Sequence, residues 1–93
     1  MTTPEGKVQT RIRGKMRSLG YWCLKVQVIG IRGYPDLLCI GHGRAFFMEI
    51  KRPGKKLRPN QHLRRNQLRS AGIECEWFDN PQDAYDWVRS KWH

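Results

Sequence analysis

A first helix is predicted near the start of the chain, because apolar residues recur there three or four positions apart. These residues are Val8, Ile12, Met16 and Leu19. Thr3 is suited to cap this helix, Pro4 to occupy its first position, and Gly20 to end it with a left-handed backbone conformation. The apolar face of the helix is therefore expected to contribute to the core.

The middle of the chain predicts three strands. Residues 21–29 are rich in β-branched and aromatic residues, which favour extended structure, and Gly30 interrupts that pattern. Residues 37–40 are short and apolar, as in a buried strand. Residues 45–51 then form the strand that returns from a hairpin turn at residues 41–44.

Two helices and a fourth strand are predicted in the last third of the chain. Pro59 begins a helix that extends to about Ala71, and residues 73–78 alternate between apolar and polar positions as an amphipathic strand does. Asn80 is suited to cap a last helix, with Pro81 at its first position. The predicted order is α-β-β-β-α-β-α, which favours an α/β fold with a mixed four-stranded sheet flanked by helices.

The composition fits a single domain that spans residues 1–93, and it excludes several classes of protein. Apolar residues make up 39% of the chain, which is enough for one core at this length. No segment has the roughly 20 apolar residues of a membrane span, and the first residues do not resemble a signal peptide. Four Trp, three Tyr and three Phe argue against disorder.

The three cysteines indicate the redox environment of the protein. Cys23, Cys39 and Cys75 are odd in number, widely spaced and outside any C-x-x-C motif. This pattern fits neither a disulfide framework nor a zinc site, so we interpret them as small core residues in a reducing compartment. We therefore expect a cytoplasmic protein.

Positive charge is concentrated in one part of the chain. Residues 1–69 contain sixteen of the eighteen Lys and Arg residues and have a net charge of +13, whereas residues 70–93 have a net charge of −3. Such a basic surface predicts a polyanionic partner, most simply nucleic acid. The basic part contains only three acids, Glu5, Asp36 and Glu49. Their presence there requires an explanation.

Two of these acids and one lysine are predicted to meet at one edge of the sheet. Asp36 begins one strand of the hairpin, and Glu49 and Lys51 share a face near the end of its partner strand, because side chains alternate. Hard carboxylate oxygens in this arrangement suit Mg²⁺ or Mn²⁺. Lys51 is then placed to orient a water molecule and to offset the negative charge that develops during phosphodiester hydrolysis.

The motifs around these residues resemble those of the PD-(D/E)xK nucleases. The matching segments are Gly33-Tyr34-Pro35-Asp36-Leu37, Phe47-Met48-Glu49-Ile50-Lys51, and then Leu57 and Gln61 ahead of Gly72. Within that superfamily they are most similar to the virus-type replication-repair nuclease (VRR-NUC) domain, from Glu5 to the last strand. The resemblance implies a restriction-endonuclease-like core and metal-dependent hydrolysis of phosphodiester bonds.

The resemblance also implies the composition of the site. Its metal ligands would be the carboxylates of Asp36 and Glu49 and the backbone carbonyl of Ile50. The family places a Glu on its first helix near the metal, so Glu5 would act there through a water molecule; the alternative is a first-turn acid that the helix dipole favours. It also places a Gln beside the catalytic lysine, which corresponds to Gln61; the alternative is a solvated helix residue. No small-molecule cofactor is implied.

Basic residues flank the predicted site on its C-terminal side and are natural contacts for phosphate groups. They are Arg52, Lys55, Lys56, Arg58, Arg64, Arg65 and Arg69. Each of them taken singly fits a solvated charge equally well. Arg58 also departs from the family, in which a small hydroxyl residue usually caps the second helix.

The predicted function is that of a divalent-metal-dependent DNA endonuclease in replication, repair or recombination. Stand-alone members of the family, mostly from phages or bacteria, are homodimers that resemble Holliday-junction resolvases. The expected substrate is therefore branched DNA: a four-way junction, a flap or a nicked duplex. Two copies would bury the less basic, aromatic C-terminal third against each other. The alternative is a non-catalytic basic module that binds nucleic acid, in which Asp36 and Glu49 only pair with nearby basic side chains.

Overall fold

A four-stranded sheet organises residues 3–93, the part of the chain that the computed structural model describes. Its strands are β1 (Trp22–Lys25), β2 (Leu37–Gly41), β3 (Arg44–Ile50) and β4 (Cys75–Phe78). They lie in the order β1-β2-β3-β4, with β1 antiparallel to β2, β2 antiparallel to β3, and β3 parallel to β4. The fold class predicted from the sequence is confirmed.

Three helices pack on the sheet: α1 (Pro4–Ser18), α2 (Pro59–Ser70) and α3 (Pro81–Trp92). Each begins with a proline, whose missing N–H would have had no partner at a helix start. The side chains of Thr3 and Asn80 each accept a hydrogen bond from a backbone N–H three residues further on, at 3.0 and 2.9 Å, so both predicted caps form. No helix within residues 3–93 is long and apolar enough to cross a membrane.

A two-residue turn joins β2 to β3 and fixes their register. Gly41 pairs with Arg44, so His42 and Gly43 form the loop, with φ angles of 53° and 73°. Both angles are positive, as the mirror-image hairpin turns require, and these turns match the twist of the flanking strands. The predicted turn at residues 41–44 is confirmed, and it determines which residues of the two strands lie opposite each other.

β1 is shorter than predicted. The composition of residues 21–29 predicted one continuous strand, but β1 ends at Lys25. The backbone N–H of Val26 still donates to the carbonyl of Asp36 at 2.9 Å, and the chain then leaves the sheet. β1 is an edge strand, and Gly30, with a φ of 85°, turns the backbone into a loop. Local strand propensity is therefore overridden in the β1–β2 loop, residues 26–36.

The core lies between the sheet and helices α1 and α3. Alternate residues of β2 and β3 face it and are fully buried: Leu37, Cys39, Phe46, Met48 and Ile50. The helices contribute Val8, Ile12 and Met16, as predicted, together with Ala84 and Val88. Because side chains alternate along a strand, Glu49 points to the opposite face of the sheet, where α2 lies.

The C-terminal aromatic residues belong to this core. The rings of Phe46 and Trp92 stack with their centroids 4.9 Å apart, and Trp87 meets Phe46 edge-on at 5.7 Å. Trp87 and Trp92 therefore pack against the core while staying partly exposed, and the dimer surface expected in the C-terminal third stays a prediction. Most of the large apolar residues that are exposed lie on β1 and the loop after it: Trp22, Leu24, Val28, Ile29 and Ile31.

Candidate active site

Asp36 and Glu49 come together at the end of the β2–β3 hairpin that is farthest from its turn. Leu37 pairs with Met48, and the same register continued by one position places Asp36 opposite Glu49. The alternation that buries Leu37 and Met48 in the core directs both carboxylates to the other face of the sheet. The sheet thus brings together the two acids that the sequence placed at this edge.

The Glu49 carboxylate lies in an environment that disfavours its charge. Burial raises its pKa to about 8, and the negative charge of Asp36 acts in the same direction. The ammonium group of Lys51 lowers the pKa in part. The Oε2 atom of Glu49 is buried without a hydrogen-bond partner. A carboxylate in this state gains stability from a cation that can reach it.

Asp36 shares this environment. Burial is the main cause that raises its pKa, and the charge of Glu5 adds to the effect. The backbone N–H groups of Asp36 and Ile50 act in the opposite direction. Its Oδ1 atom is buried without a hydrogen-bond partner, and its Oδ2 atom accepts a hydrogen bond from Nε2 of Gln9 at 3.4 Å.

Gln9 is a site residue that the sequence analysis missed. It lies on α1 and is only 9% exposed. Gln9 comes four residues after Glu5 and directly after Val8, on the face of the helix that is otherwise apolar. A polar residue on a buried face needs a hydrogen-bond partner, and that was the available signal. α1 therefore contributes an amide to the site.

The start of α2 fixes the side chain of Gln61. Arg58 is the N-cap residue, and a guanidinium group has no acceptor with which to cap a helix. Instead, Oε1 of Gln61 accepts a hydrogen bond from the backbone N–H of Arg58 at 2.9 Å, which is one half of a capping box. The Nε2 group of Gln61 then donates to Oε1 of Glu49 at 2.8 Å. Gln61 therefore orients the Glu49 carboxylate, and the unusual residue at position 58 does not prevent this.

Lys51 is buried, which is rare for a lysine. The residue is only 6% exposed and follows β3 directly, where its backbone N–H donates to the carbonyl of Phe78 at 2.8 Å. Its positive charge acts on Glu49, as the pKa of that carboxyl shows. Lys51 is thus a buried lysine on the same face of the sheet as Glu49 and within electrostatic range of its carboxylate.

Two clefts border the site. One has a volume of about 400 Å³ and is lined by the β1–β2 loop, Asp36 and Gln61. The other has a volume of about 480 Å³ and is lined by Glu5, Lys51 and basic residues. Arg58 lines both clefts. A larger cleft of about 590 Å³, between β4 and α3, contains none of the predicted site residues.

Glu5 lies near the two carboxylates without touching them. Its helical face predicted burial, but the first turn of α1 is exposed and Glu5 with it. Its charge nevertheless raises the pKa of both Asp36 and Glu49. Its action on a metal ion through a water molecule stays a prediction.

The backbone of Ile50 faces the same edge. The N–H of Lys51 points to β4, where it donates to Phe78. Successive residues of a strand direct their backbone groups to opposite sides, so the carbonyl of Ile50 points away from β4 and toward β2. The N–H of Ile50 acts on the pKa of Asp36, which agrees with this orientation.

These oxygen atoms fit a hard divalent cation. Oδ1 of Asp36 and Oε2 of Glu49 are buried acceptors without a donor, and the carbonyl of Ile50 lies on the same side of β3. Across residues 3–93, no group of three or more His, Cys, Asp or Glu side chains is placed to hold a metal ion by itself. Two carboxylates and one carbonyl leave further positions to water and substrate oxygens, which is how Mg²⁺ is usually bound beside phosphates.

Four of the predicted DNA contacts form an exposed basic loop between β3 and α2. They are Arg52, Lys55, Lys56 and Arg58. Three of them line the cleft beside Lys51, namely Arg52, Lys55 and Arg58. The loop therefore presents positive charge beside Lys51 and Glu5, and its Arg58 also borders the cleft that Asp36 lines.

Two of the other predicted contacts have partners within the protein. Arg65 donates to both oxygens of Glu76, at 2.8 and 3.0 Å, and Arg69 donates to the same carboxylate at 3.2 Å. These bonds attach α2 to β4. Such long-range pairs were not visible in the sequence, which presented both arginines only as parts of a basic run.

Gly33 and Arg64 hold the β1–β2 loop against α2. Nε of Arg64 donates to the carbonyl of Arg32 at 3.1 Å, and the guanidinium lies 5.1 Å from the ring centroid of Tyr34. Gly33 has a φ of 94°, and a Cβ atom there would come within 2.5 Å of the carbonyl oxygen of Asn60. Only glycine permits this approach, which places the segment leading to Asp36 beside the start of α2.

Gly33→Ala is expected to destabilise the protein by about 2–4 kcal/mol, because it combines left-handed strain with a backbone clash. Gly30→Ala is the matched control. Gly30 has a similar φ of 85°, but a Cβ there meets nothing within 4 Å, so the loss should be about 1 kcal/mol. Chemical denaturation measures both values. Equal losses for the two variants would show that the close approach of Gly33 to Asn60 does not contribute to the free energy of unfolding.

Comparison with known proteins gives a likeness to a solved structure. No protein-family model matches the chain, and no curated protein matches it. A solved structure described as a "VRR_NUC domain" superposes with a TM-score of 0.85 and 26% sequence identity. The match covers 99% of this chain and all of the solved one.

The fold and the site together define a class of protein. A mixed four-stranded sheet carries a carboxylate at the start of β2, a second one near the end of β3, and a buried lysine two residues later. This is the arrangement of the PD-(D/E)xK nuclease superfamily that the motifs suggested. Within that class the chain is similar to the VRR-NUC nuclease domains, because its fold matches that of a solved VRR_NUC domain over almost its whole length.

Proposed function

We propose that this protein is a divalent-metal-dependent endonuclease that hydrolyses phosphodiester bonds in branched DNA. The observation that carries the proposal is the pair of buried carboxylates, Asp36 and Glu49, each with an unpaired oxygen, beside the buried Lys51. A module that only binds DNA would gain nothing from two buried acids within a basic surface. Such acids repel phosphate groups and are costly to desolvate.

Asp36, Glu49 and the carbonyl of Ile50 would hold the metal ion, Mg²⁺ or Mn²⁺. When bound, such an ion polarises the scissile phosphate and lowers the pKa of a coordinated water molecule. Lys51 places a positive charge where negative charge develops on the phosphate. Gln61 and Gln9 are positioning residues, since each donates a hydrogen bond to one of the two carboxylates.

The exposed basic loop between β3 and α2 would hold the DNA backbone next to the metal site. Its side chains lie beside the cleft that Lys51 lines, so a phosphate bound by them would lie near the carboxylates. Contacts of this kind position the substrate and do not read its sequence. Arg65 and Arg69 are not included in this surface, because Glu76 already binds both.

Neutralising Lys55, Lys56 and Arg58 together is expected to reduce the slope of log affinity against log salt by about 2–3 on duplex DNA, close to one unit for each phosphate that is no longer neutralised. Titrations at several salt concentrations measure this slope. The control replaces Arg17 and Arg89, two exposed residues near the hairpin-turn end of the sheet, and should leave the slope unchanged. An unchanged slope for the triple variant would place the DNA elsewhere on the protein.

A homodimer would suit this activity, because two sites at a fixed separation match the two symmetric strands of a four-way junction. The surface that would form it, here called the β1 patch, consists of Trp22, Leu24, Val28, Ile29 and Ile31, which are 42% to 90% exposed. The patch lies on an edge strand and the loop after it. Only Lys25 is charged between positions 20 and 31, so two basic chains can approach there with little repulsion.

Light scattering at micromolar concentration is expected to give about twice the chain mass of 11.0 kDa. Leu24→Lys combined with Ile29→Lys should give the mass of one chain, because it places unpaired charges in the contact. Ile73→Lys is the control, since it alters an exposed apolar residue outside the β1 patch and should leave the dimer intact. A monomeric wild-type protein would remove the dimer from the proposal and leave the metal site unaffected.

The nuclease proposal is tested with a panel of labelled DNA substrates that share one sequence: a four-way junction, a flap, a nicked duplex, a linear duplex and a single strand. Cleavage is expected with Mg²⁺ or Mn²⁺ and not in the presence of a chelator, with the junction cut fastest. Asp86→Asn, which changes an exposed acid on α3, should cut like the wild type. Cleavage that persists in the chelator would contradict the metal site. Equal cleavage of all substrates would contradict the preference for branched DNA and indicate a nuclease without structure selectivity.

A further inference from the structure

Two of the three cysteines lie side by side across adjacent strands. Cys23 of β1 pairs directly with Cys39 of β2, and their Sγ atoms are 3.2 Å apart. Both are free thiols in this structure. Their separation along the sequence concealed this contact, which depends on the register between β1 and β2.

The strand pairing favours a bond between these two residues. Val26 and Asp36 share a backbone hydrogen bond, so they form a hydrogen-bonded pair of the antiparallel ladder. Hydrogen-bonded and non-hydrogen-bonded pairs alternate, which makes Cys23 and Cys39, three positions further along, a non-hydrogen-bonded pair. The Cα atoms of such pairs are about 4.5 Å apart, within the range that disulfides span. The sulfur atoms need to approach by only about 1 Å to reach bonding distance.

The two thiols differ in their surroundings. Cys23 is half-buried, and its pKa is lowered by the hydrogen bond with Cys39 and by the charges of Arg13 and Arg17. Cys39 is fully buried, and the hydrogen bond with Cys23 and burial both raise its pKa. Cys75 is alone, and burial raises its pKa to about 11. Cys23 is therefore the thiol best placed to react as a thiolate, and Cys39 is the neighbour that can resolve the product.

We propose that Cys23 and Cys39 are a redox-active pair that a peroxide converts into a disulfide between β1 and β2. The Cys23 thiolate attacks one oxygen of hydrogen peroxide and breaks the O–O bond, which gives a sulfenic acid on Cys23 and a hydroxide ion; the hydroxide takes up the proton that the Cys23 thiol released and becomes one water. The sulfur of Cys39 then attacks the sulfur of Cys23, and the leaving hydroxide takes the Cys39 proton as a second water. The two thiols lose two electrons, and the peroxide gains them.

The disulfide would restrain one wall of the candidate active site. The segment between the two cysteines, residues 24–38, contains the β1–β2 loop and Asp36 itself. This loop lines the cleft beside Asp36 and Gln61. Closing the segment covalently would limit the excursions of the loop and of the edge strand that carries it. Oxidation would thus stabilise this part of the site, whichever reaction the site performs.

Peptide mapping tests the proposal without any measurement of nuclease activity. The reduced protein is freed of reductant, treated with a small excess of hydrogen peroxide, alkylated, and digested with trypsin under non-reducing conditions. The expected product is peptide 18–25 linked to peptide 33–44, with Cys75 alkylated. Three alkylated thiols after peroxide treatment, or oxidation of Cys75 as fast as that of Cys23, would overturn the proposal.

Variants assign the cross-link to the pair and measure its effect. Cys23→Ser should abolish the linked peptide, and Cys75→Ala should retain it. The oxidised wild-type protein should melt about 5–15 °C above the reduced protein, whereas the melting temperature of Cys23→Ser should not change with peroxide. A disulfide that forms without this rise in melting temperature would contradict the restraint of the loop.

Discussion

Asp36→Asn is expected to lower the rate of DNA cleavage by about a thousandfold or more. The substitution keeps the size of the side chain and its hydrogen bond from Gln9, but it removes the charge that would hold the metal ion. Glu49→Gln should have a similar effect for the same reason. Single-turnover cleavage of a labelled junction, with saturating protein, measures the chemical step directly.

DNA binding by the same variants separates the two candidate functions. For an endonuclease, Asp36→Asn should leave the affinity in the presence of a chelator nearly unchanged, and only cleavage should be lost. For a module that only binds DNA, neither protein would cut, and removing an acid that repels phosphate would tighten binding. Cleavage by Asp36→Asn at a rate near that of the wild type would show that the metal site has been assigned wrongly.

Lys51→Ala distinguishes ligation from electrostatic stabilisation. The ammonium group cannot bind a cation, so the variant should lose cleavage and still take up Mn²⁺. Its charge lowers the pKa of Glu49, and its removal should therefore raise the pKa of that carboxyl further. A titration calorimetry experiment that finds no Mn²⁺ uptake by Lys51→Ala would contradict this division of roles.

The convergence of Asp36 and Glu49 was predictable because two local signals determine it. The sequence Gly41-His42-Gly43-Arg44 indicates a two-residue turn, and that turn fixes the register of the hairpin. The period of two then determines which side chains share a face. Helix starts were predictable for a similar reason, since caps and prolines act within three residues of their own position.

The parts that could not be predicted depend on contacts between distant segments. The hydrogen bond from Gln9 to Asp36 requires the packing of α1 against the sheet edge, which no local pattern specifies. The pairing of Arg65 with Glu76 requires α2 to cross β4. The early end of β1 and the contact of Cys23 with Cys39 both depend on the pairing of an edge strand, and edge strands have weak sequence signals.

Glu49→Gln is also expected to stabilise the metal-free protein, although it abolishes cleavage. Burial raises the pKa of Glu49 from 4.5 to about 8 in the folded state. Between pH 4.5 and about pH 8, the Glu49 side chain is ionised in the unfolded chain and mostly neutral in the folded protein. The stability that this group contributes is therefore fully present below about pH 4.5 and is lost as the pH rises to about 8. The neutral amide avoids this loss.

Melting curves in a chelator measure the effect across this pH range. At pH 8.5 the variant should melt about 5–10 °C above the wild type, and at pH 5 the two should differ little. Mn²⁺ should raise the melting temperature of the wild type and not that of the variant, because bound metal replaces the missing positive charge. Glu74→Gln, at a carboxylate that is 41% exposed, is the control and should show no such difference. Equal melting of wild type and Glu49→Gln at every pH would mean that the buried carboxylate carries no cost in the folded protein. The buried charge of Glu49 would then give the site no added tendency to bind a cation.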